Sequence, residues 1–253
     1  MHTDLQPTDL TTASYKHVPF YVRKSHIESF SFCPRQFYLQ YIEERQPFEN
    51  YAMTSGTRFH NFAELFFQVC DDYDPSQWMS FIPKEFGGYE RPAAEYFIER
   101  EMFRKKHAKH FQPAFLEIEL FSDTHLLGGR LDRVDWIDQE KKTVEILEYK
   151  MSSKLNELSL KRQLGFYTIL VEEVLGLTVE NVKLINPRLK ETINFGRPDT
   201  DLPLKWADKI REHYENPELC IPKCSTGRYA VCQMCQTTEE AGLFKDIEWD
   251  GEY

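Results

Sequence analysis

Residues 126–150 constrain this chain more than any other stretch, because they read as one β-hairpin of a buried sheet. Residues 126–137 (LLGGRLDRVDWI) and 143–150 (TVEILEYK) are strand-like runs on either side of the polar segment Asp138-Gln139-Glu140-Lys141-Lys142. A turn centred on Glu140 sets Asp132 opposite Glu148, and opposed Cβ atoms in such a pair lie about 5 Å apart. Carboxylates that close repel unless a cation lies between them. Alternation along the strand then puts Lys150 on the same face as Glu148, and Asp135 on the face away from Asp132. One face thus presents Asp, Glu and Lys. That set suits a hard divalent cation with an ammonium beside it, the chemistry of metal-assisted phosphodiester hydrolysis. Charged residues on a hairpin more often form only its solvated side. The apolar flanks Val134, Trp136, Ile146 and Leu147 weigh against that reading here, since they place the hairpin in a core sheet.

The surrounding pattern is helices, then strands, a helix and a strand. Helices are expected at 25–44 (N-capped by Ser25 and broken near Cys33 by Pro34), 54–70, 91–111, 158–175 (closed by Gly176) and 202–214. In the second of these, Phe59, Phe62, Phe66 and Val69 share one side, and residues 71–89 form an irregular insert. Strands are expected at 115–121, at the hairpin, at 179–187 and at 191–195. This order predicts an α/β fold with a mixed central sheet flanked by helices. The division expected is a flexible N-terminus over 1–20, a core over 21–215, and a cysteine-rich tail over 216–253.

The chain has 253 residues and a formal net charge of −10, which argues against a protein that coats nucleic acid. DNA contact must then use local basic surface. No run of about 18 apolar residues exists, so no membrane span is expected. The first twenty residues lack an apolar core behind a basic start, so no signal peptide is expected either. The expected location is the cytoplasm, where disulfides are rare. The six cysteines therefore need another explanation.

Four of them, Cys220, Cys224, Cys232 and Cys235, fall close together, and the last two form a CxxC. That is a strong metal signal. It is met either by a local zinc ribbon or by an iron–sulfur cluster that takes Cys33 from far upstream. Cys70 reads as a buried structural thiol. His60 ends the motif Gly56-Thr57-Arg58-Phe59-His60, where Gly56 allows close backbone approach and a neutral imidazole can complete a cation shell. Glu64 reads as solvated. The backbone carbonyl of Tyr149 is a further candidate metal ligand. Gln163 and Tyr167 share one helical face behind the hairpin, and Lys161, Arg162 and Arg35 are candidates for phosphate contacts.

Taken together, CPRQFYL, GTRFH, GGRLD, EYK and QLGFY resemble the RecB-like branch of the PD-(D/E)XK nucleases, in particular the CRISPR-associated RecB-like exonucleases and their phage and archaeal relatives. The resemblance runs over about residues 25–235, and the five motifs occur in family order. It implies a restriction-endonuclease-like core and a Mg²⁺- or Mn²⁺-dependent exonuclease acting on single-stranded DNA or DNA ends. It assigns metal binding to His60, Asp132 and Glu148, catalysis to Asp132, Glu148 and Lys150, and the DNA side to Gln163 and Tyr167. It also implies a structural [4Fe–4S] cluster that begins at Cys33. The family usually carries a last cysteine beyond the CxxC, whereas nothing follows Cys235 here and the pair Cys220 and Cys224 precedes it. The ligand set expected is Cys33, Cys224, Cys232 and Cys235, with Cys220 the rival of Cys224. Recombination, repair and CRISPR spacer capture are the settings implied, with a helicase, an integrase or a second copy as partner. The competing readings are a non-catalytic DNA-binding scaffold and a zinc-ribbon protein.

Overall fold

The computed structural model describes residues 19–45, 51–154 and 157–220, apart from the side chains of 51, 52, 157–159 and 161–163. Most of the expected flexible N-terminus, the thiols of Cys224, Cys232 and Cys235, and the side chains of Lys161, Arg162 and Gln163 lie outside the described residues.

Five strands form one sheet in chain order: β1 (Phe115–Ser122), β2 (Leu127–Asp138), β3 (Thr143–Tyr149), β4 (Thr178–Asn186) and β5 (Glu191–Asn194). The β1–β2, β2–β3 and β4–β5 pairs are antiparallel, and β3–β4 is parallel. A parallel pair needs a crossover, and helix α5 (Glu157–Leu175) supplies it. The helix is followed by Gly176 at φ 63, a left-handed conformation that glycine adopts without a steric cost. The expected α/β architecture with a mixed sheet flanked by helices is therefore present.

The hairpin register is the one the turn implies. Arg133 pairs with Leu147, Val134 with Ile146 and Asp135 with Glu145, so the next step along sets Asp132 level with Glu148. A bulge between Trp136 and Asp138 absorbs one residue beside the turn.

Two hydrophobic cores lie against this sheet. The first gathers Ile27, Phe30, Phe37, Val144, Ile146, Phe166 and Leu170 among others, from the sheet, α5 and the N-terminal helices. The second gathers Phe59, Phe62, Phe66, Trp78, Phe97, Leu147 and Tyr149. Its helices are α3 (Tyr51–Val69) and α4 (Glu90–His107). Strand alternation sorts β3 cleanly, with Val144 and Ile146 in one core and Leu147 and Tyr149 in the other. In β1 and β2 the alternation breaks. Phe115 and Ile118 both pack on the first core, three residues apart, and so do Leu131 and Val134. The break falls at Glu117 and Asp132.

The expected helix over 25–44 is two helices and a π-helical turn. They are α1 (Lys24–Phe32), α2 (Pro34–Phe37) and Tyr38–Ile42. Cys33 between them is extended, at φ −163 and ψ 121, because Pro34 cannot continue the donor ladder of α1 and instead starts a new helix. Ser25 is not the N-cap. Arg23 holds that place, and its backbone N–H donates to His26 Nδ1 at 3.1 Å. Just ahead of α1, Val22 forms a parallel bridge to Leu127, with Val22 N–H donating to the Leu126 carbonyl at 2.9 Å and Gly128 N–H to the Val22 carbonyl at 3.0 Å. That bridge fixes where α1 starts relative to β2.

Val69 is exposed rather than aligned with the buried Phe59, Phe62 and Phe66. The insert over 71–89 is anchored by Trp78, which is fully buried and donates its indole N–H to the Cys70 carbonyl at 3.0 Å. The last helix, α6 (Asp201–Glu215), packs against α5, and Cys220 beyond it is buried in the first core.

The α5–α6 contact depends on Gly165. A Cβ there would meet the Asp199 carbonyl oxygen at 2.1 Å and Pro203 Cγ at 2.8 Å. Gly165→Ala should therefore lower stability by about 1–3 kcal/mol, the usual range for overpacking. Urea unfolding of the two proteins measures this, and an unchanged midpoint would mean that the backbone around Asp199 yields freely.

Candidate active site

Three carboxylates lie in a row across neighbouring strands. Leu116 pairs with Arg133 and Ile118 with Leu131, which leaves Glu117 level with Asp132, and Asp132 is level with Glu148. Glu117 sits at φ 45, in the left-handed region that a residue with a Cβ rarely occupies. Backbone held in such a region costs on the order of 1–3 kcal/mol and persists only where its surroundings enforce it. Here it turns the Glu117 side chain toward Asp132 at the point where the alternation of β1 breaks.

Each carboxylate has one oxygen engaged by the protein and a second turned elsewhere. Asp132 Oδ2 accepts the backbone N–H of Tyr149 at 2.7 Å, while Oδ1 faces His60 Nδ1 at 3.3 Å. Glu117 Oε2 accepts from Arg130 Nε at 2.7 Å, while Oε1 faces the same His60 nitrogen at 3.5 Å. Glu148 Oε1 meets Lys150 Nζ at 3.1 Å and also pairs with Lys24, while Oε2 is buried and has no partner. A buried, unpartnered carboxylate oxygen is costly and wants a cation or a donor. The ligand atoms of His60, Glu117 and Asp132 lie within 4.8 Å of one another, a spacing that one metal ion could bridge. Glu148 stands outside that compact set, its Oε1 held by the two ammonium groups. Oxygen donors with one imidazole suit a hard divalent cation, so the donor set fits Mg²⁺ or Mn²⁺.

The charges are mutually dependent. Burial raises the pKa of Asp132, and the Glu148 charge raises it further. Burial would raise that of Glu148 too, but Lys24 and Lys150 outweigh it and hold the carboxyl below its ordinary range. His60 is pushed up to about 10. Burial opposes its charge, yet Asp132 and the hydrogen bonds to Asp132 and Glu117 prevail. Without a metal, the imidazolium fills the cation's place.

Lys24, in the first turn of α1, is a second lysine on Glu148. Its ammonium also lies 3.8 Å from Glu28 and 5.6 Å from the centre of the Tyr167 ring. Lys150 lies 3.6 Å from the same Glu28 oxygen. Tyr167 is buried under Lys24, and burial with the nearby Glu148 charge holds its hydroxyl well above the ordinary phenol range.

Asp135 points to the opposite side of the sheet, as alternation implies. There Arg133, fully buried, donates through Nε and Nη2 to Asp135 at 2.7 Å each and through Nη1 to Glu101 at 2.9 Å and the Tyr149 hydroxyl at 3.0 Å. Arg104 from α4 closes the cluster on Asp135 at 2.9 Å and on Glu101. Two guanidiniums thus face two carboxylates, and the Tyr149 hydroxyl is tied to a fixed frame on one side of the residue whose N–H binds Asp132 on the other.

The structure brings Asp132, Glu148, Lys150, His60 and Tyr149 close together, and it places Tyr167 beneath Lys24, buried rather than on an open DNA-facing surface. It does not add Arg35, which is buried in α2 and presents no exposed guanidinium. Gly56 faces open space, and a Cβ there would meet no atom within 4 Å. Sequence reasoning missed Glu117, Lys24 and Glu28. Glu117 carried only a weak signal, since β1 holds two acidic residues, Glu117 and Glu119, in the alternation of an ordinary half-solvated strand. Lys24 carried none, since its placement depends on the bridge at Val22.

Comparison with known proteins accords with this geometry. A family model described as the PD-(D/E)XK nuclease superfamily matches residues 24–239. Among solved structures, the chain resembles one described as "Putative exonuclease" from Eubacterium rectale, at 12% identity and TM-score 0.51, covering 96% of this chain and 100% of the other. At that identity the likeness shows the fold alone. A second structure, of SSO0001, aligns at 15% identity over 79% of this chain and 93% of its own, with a TM-score of 0.30 that carries no argument. No curated protein matches the chain. No helix among the described residues is long and apolar enough to cross a membrane.

Two measurements check the electrostatics. Arg133→Ala should cost about 3–5 kcal/mol, because Asp135 and Glu101 would be left buried and unpaired; chemical denaturation reads it. In the metal-free protein, the raised pKa of His60 contributes stability in full below the unfolded value of 6.5, and that contribution drains away as pH rises toward about 10. The gap in unfolding midpoint between wild type and His60→Ala should therefore narrow across that window. A gap that widens with pH would contradict the assignment.

Proposed function

The chain belongs to the PD-(D/E)XK nuclease superfamily, and on that premise we propose that it is a Mg²⁺- or Mn²⁺-dependent deoxyribonuclease that degrades DNA from an end. One observation carries the reading above all. Glu148 keeps a buried, unpartnered oxygen beside Asp132, and Lys150 stands 3.1 Å from the other oxygen of the same carboxylate. A cation bound beside Asp132 would satisfy that oxygen.

Asp132, Glu148, His60 and Glu117 would hold the ion, with the Tyr149 backbone carbonyl as a further ligand. Once bound, a divalent ion neutralises phosphate charge and makes its water a stronger acid. The protein's own groups do the rest. The Tyr149 N–H fixes the rotamer of Asp132. Lys150, held by Glu148 and Glu28, can hold the attacking water or the charge that develops on the scissile phosphate. Tyr167 and Lys24 close the site on the α1 and α5 side. Gln163, Lys161 and Arg162 on α5 are proposed to follow the DNA backbone outward. The intact Asp132, Glu148 and Lys150 set favours catalysis over a scaffold role.

We also propose a structural [4Fe–4S] cluster. Cys33 and Cys220 are both buried, and burial, followed by the neighbouring Cys33, pushes the Cys220 thiol up to about 11. This closeness favours Cys220 over Cys224 as the partner of Cys33, with Cys232 and Cys235 completing the set. Such a cluster would bind the far end of the chain to the break between α1 and α2. Recombination, repair or CRISPR spacer capture are the settings proposed for the activity.

End-labelled linear DNA and covalently closed circular DNA, each with Mg²⁺ or Mn²⁺, test the reaction. The expected outcome is loss of linear DNA only, abolished by Asp132→Asn and reduced about 10²- to 10³-fold in kcat by Lys150→Met, the scale for removing one group that stabilises developing charge. Equal cleavage of circles would replace the exonuclease reading with an endonuclease. For the cluster, Cys33→Ser and Cys220→Ser should each lose bound iron and visible absorbance and lower Tm. Zinc in place of iron in the wild type would favour a local ribbon.

A further inference from the structure

Glu148 divides the site in two. On one side, His60, Glu117 and Asp132 gather donor atoms within 4.8 Å, with the free Oε2 of Glu148 left buried. On the other side, Glu148 Oε1 and the Glu28 carboxylate meet two ammonium groups, Lys24 and Lys150. In two-metal hydrolytic sites the ions stand about 3.5–4 Å apart and share a carboxylate between them. Here the oxygen that would reach a second ion is already occupied. We propose that the Lys24 ammonium permanently fills the place of a second divalent cation, so that the centre takes one ion per chain.

The local charge count supports this. Two carboxylates, Glu28 and Glu148, face two ammoniums, so the pocket is already neutral and offers no excess negative charge to a second ion. Lys24 is held there by more than Glu148. Its side chain is only 15% exposed, it lies over the Tyr167 ring, and the Val22–Leu127 bridge fixes the start of its helix. A side chain so fixed cannot swing out cheaply to admit a hydrated ion, because Glu148 would be left buried beside a wider gap. Without Lys24, Glu28 and Glu148 would share one lysine. The pocket would carry net negative charge, with Glu28 Oε1 and Glu148 Oε1 each left to the single ammonium of Lys150, the composition of a weak hard-cation site.

This inference rests on the proposed metal-dependent reaction, and one experiment separates the two. Mn²⁺ binding to the full-length protein is counted by equilibrium dialysis, and the spectrum of bound Mn²⁺ reports whether two ions are spin-coupled. Wild type and Lys24→Arg should each bind one Mn²⁺ with no coupling. Lys24→Met, close in length and volume, should bind a second, weaker Mn²⁺ coupled to the first. Lys24→Met/Glu28→Gln should return to one. Circular dichroism melts confirm that each variant is folded, and Lys24→Gln, expected to bind two ions as Lys24→Met does, covers the case in which Lys24→Met unfolds. Two coupled ions in the wild type would overturn the proposal while leaving the nuclease reading intact, as would a folded Lys24→Met that still binds only one. No Mn²⁺ bound by the wild type would overturn the metal-dependent reading itself.

Discussion

Mutual repulsion among Glu117, Asp132 and Glu148 is the constraint to which the rest of the structure answers. Carboxylates on adjacent strands are forced together by backbone pairing, whatever their charge. They can coexist only because cations are placed beside them, two of the three from elements distant in sequence. His60 comes from α3, Lys24 from α1 and Lys150 from the end of β3. The pKa shifts record the outcome, with Asp132 raised and Glu148 lowered although they are neighbours. What differs between them is the partner. Asp132 has a backbone N–H and an imidazole, and Glu148 has two ammoniums.

The opposite face of the same strands carries a second ionic arrangement of another kind. Arg133, Arg104, Asp135 and Glu101 satisfy one another fully, with good distances and no oxygen left idle. Buried ion pairs are weak evidence for stability but strong evidence for a fixed geometry when every member is bonded. The two clusters touch through Tyr149, whose N–H serves one and whose hydroxyl serves the other. A satisfied cluster thus holds the frame for an unsatisfied one.

Much of this was legible in the sequence, and the reasons are local. The β2–β3 register follows from a short turn and a period of two, so Asp132, Glu148, Lys150 and the opposed placement of Asp135 could all be read from 25 consecutive residues, 126–150. The break at Cys33 follows from Pro34 alone. What could not be read was set by tertiary contacts. The N-cap at Arg23, two residues earlier than Ser25 suggested, depends on the strand-like bridge at Val22. Glu117 enters the site through a left-handed backbone conformation that no side-chain pattern announces. Arg35 looked like a free cation because sequence shows charge and not burial. The helix over 158–175 and its closing glycine were plain, yet the tight fit at Gly165 depends on a loop more than thirty residues later.

The Val22–Leu127 bridge has a consequence in time as well as in space. Contacts between residues far apart in sequence form late and slowly, after nearer ones have reduced the entropy of closing the intervening chain. Lys24 leaves the ribosome early, but the strand that fixes its helix and the carboxylate that receives it are made more than a hundred residues later. Until β3 is made, therefore, the lysine of α1 exists without the strand carboxylate that receives it. A nascent chain, or one truncated before β3, holds no assembled acidic centre. The reach of that single bridge keeps the acidic centre from assembling before β3 is in place.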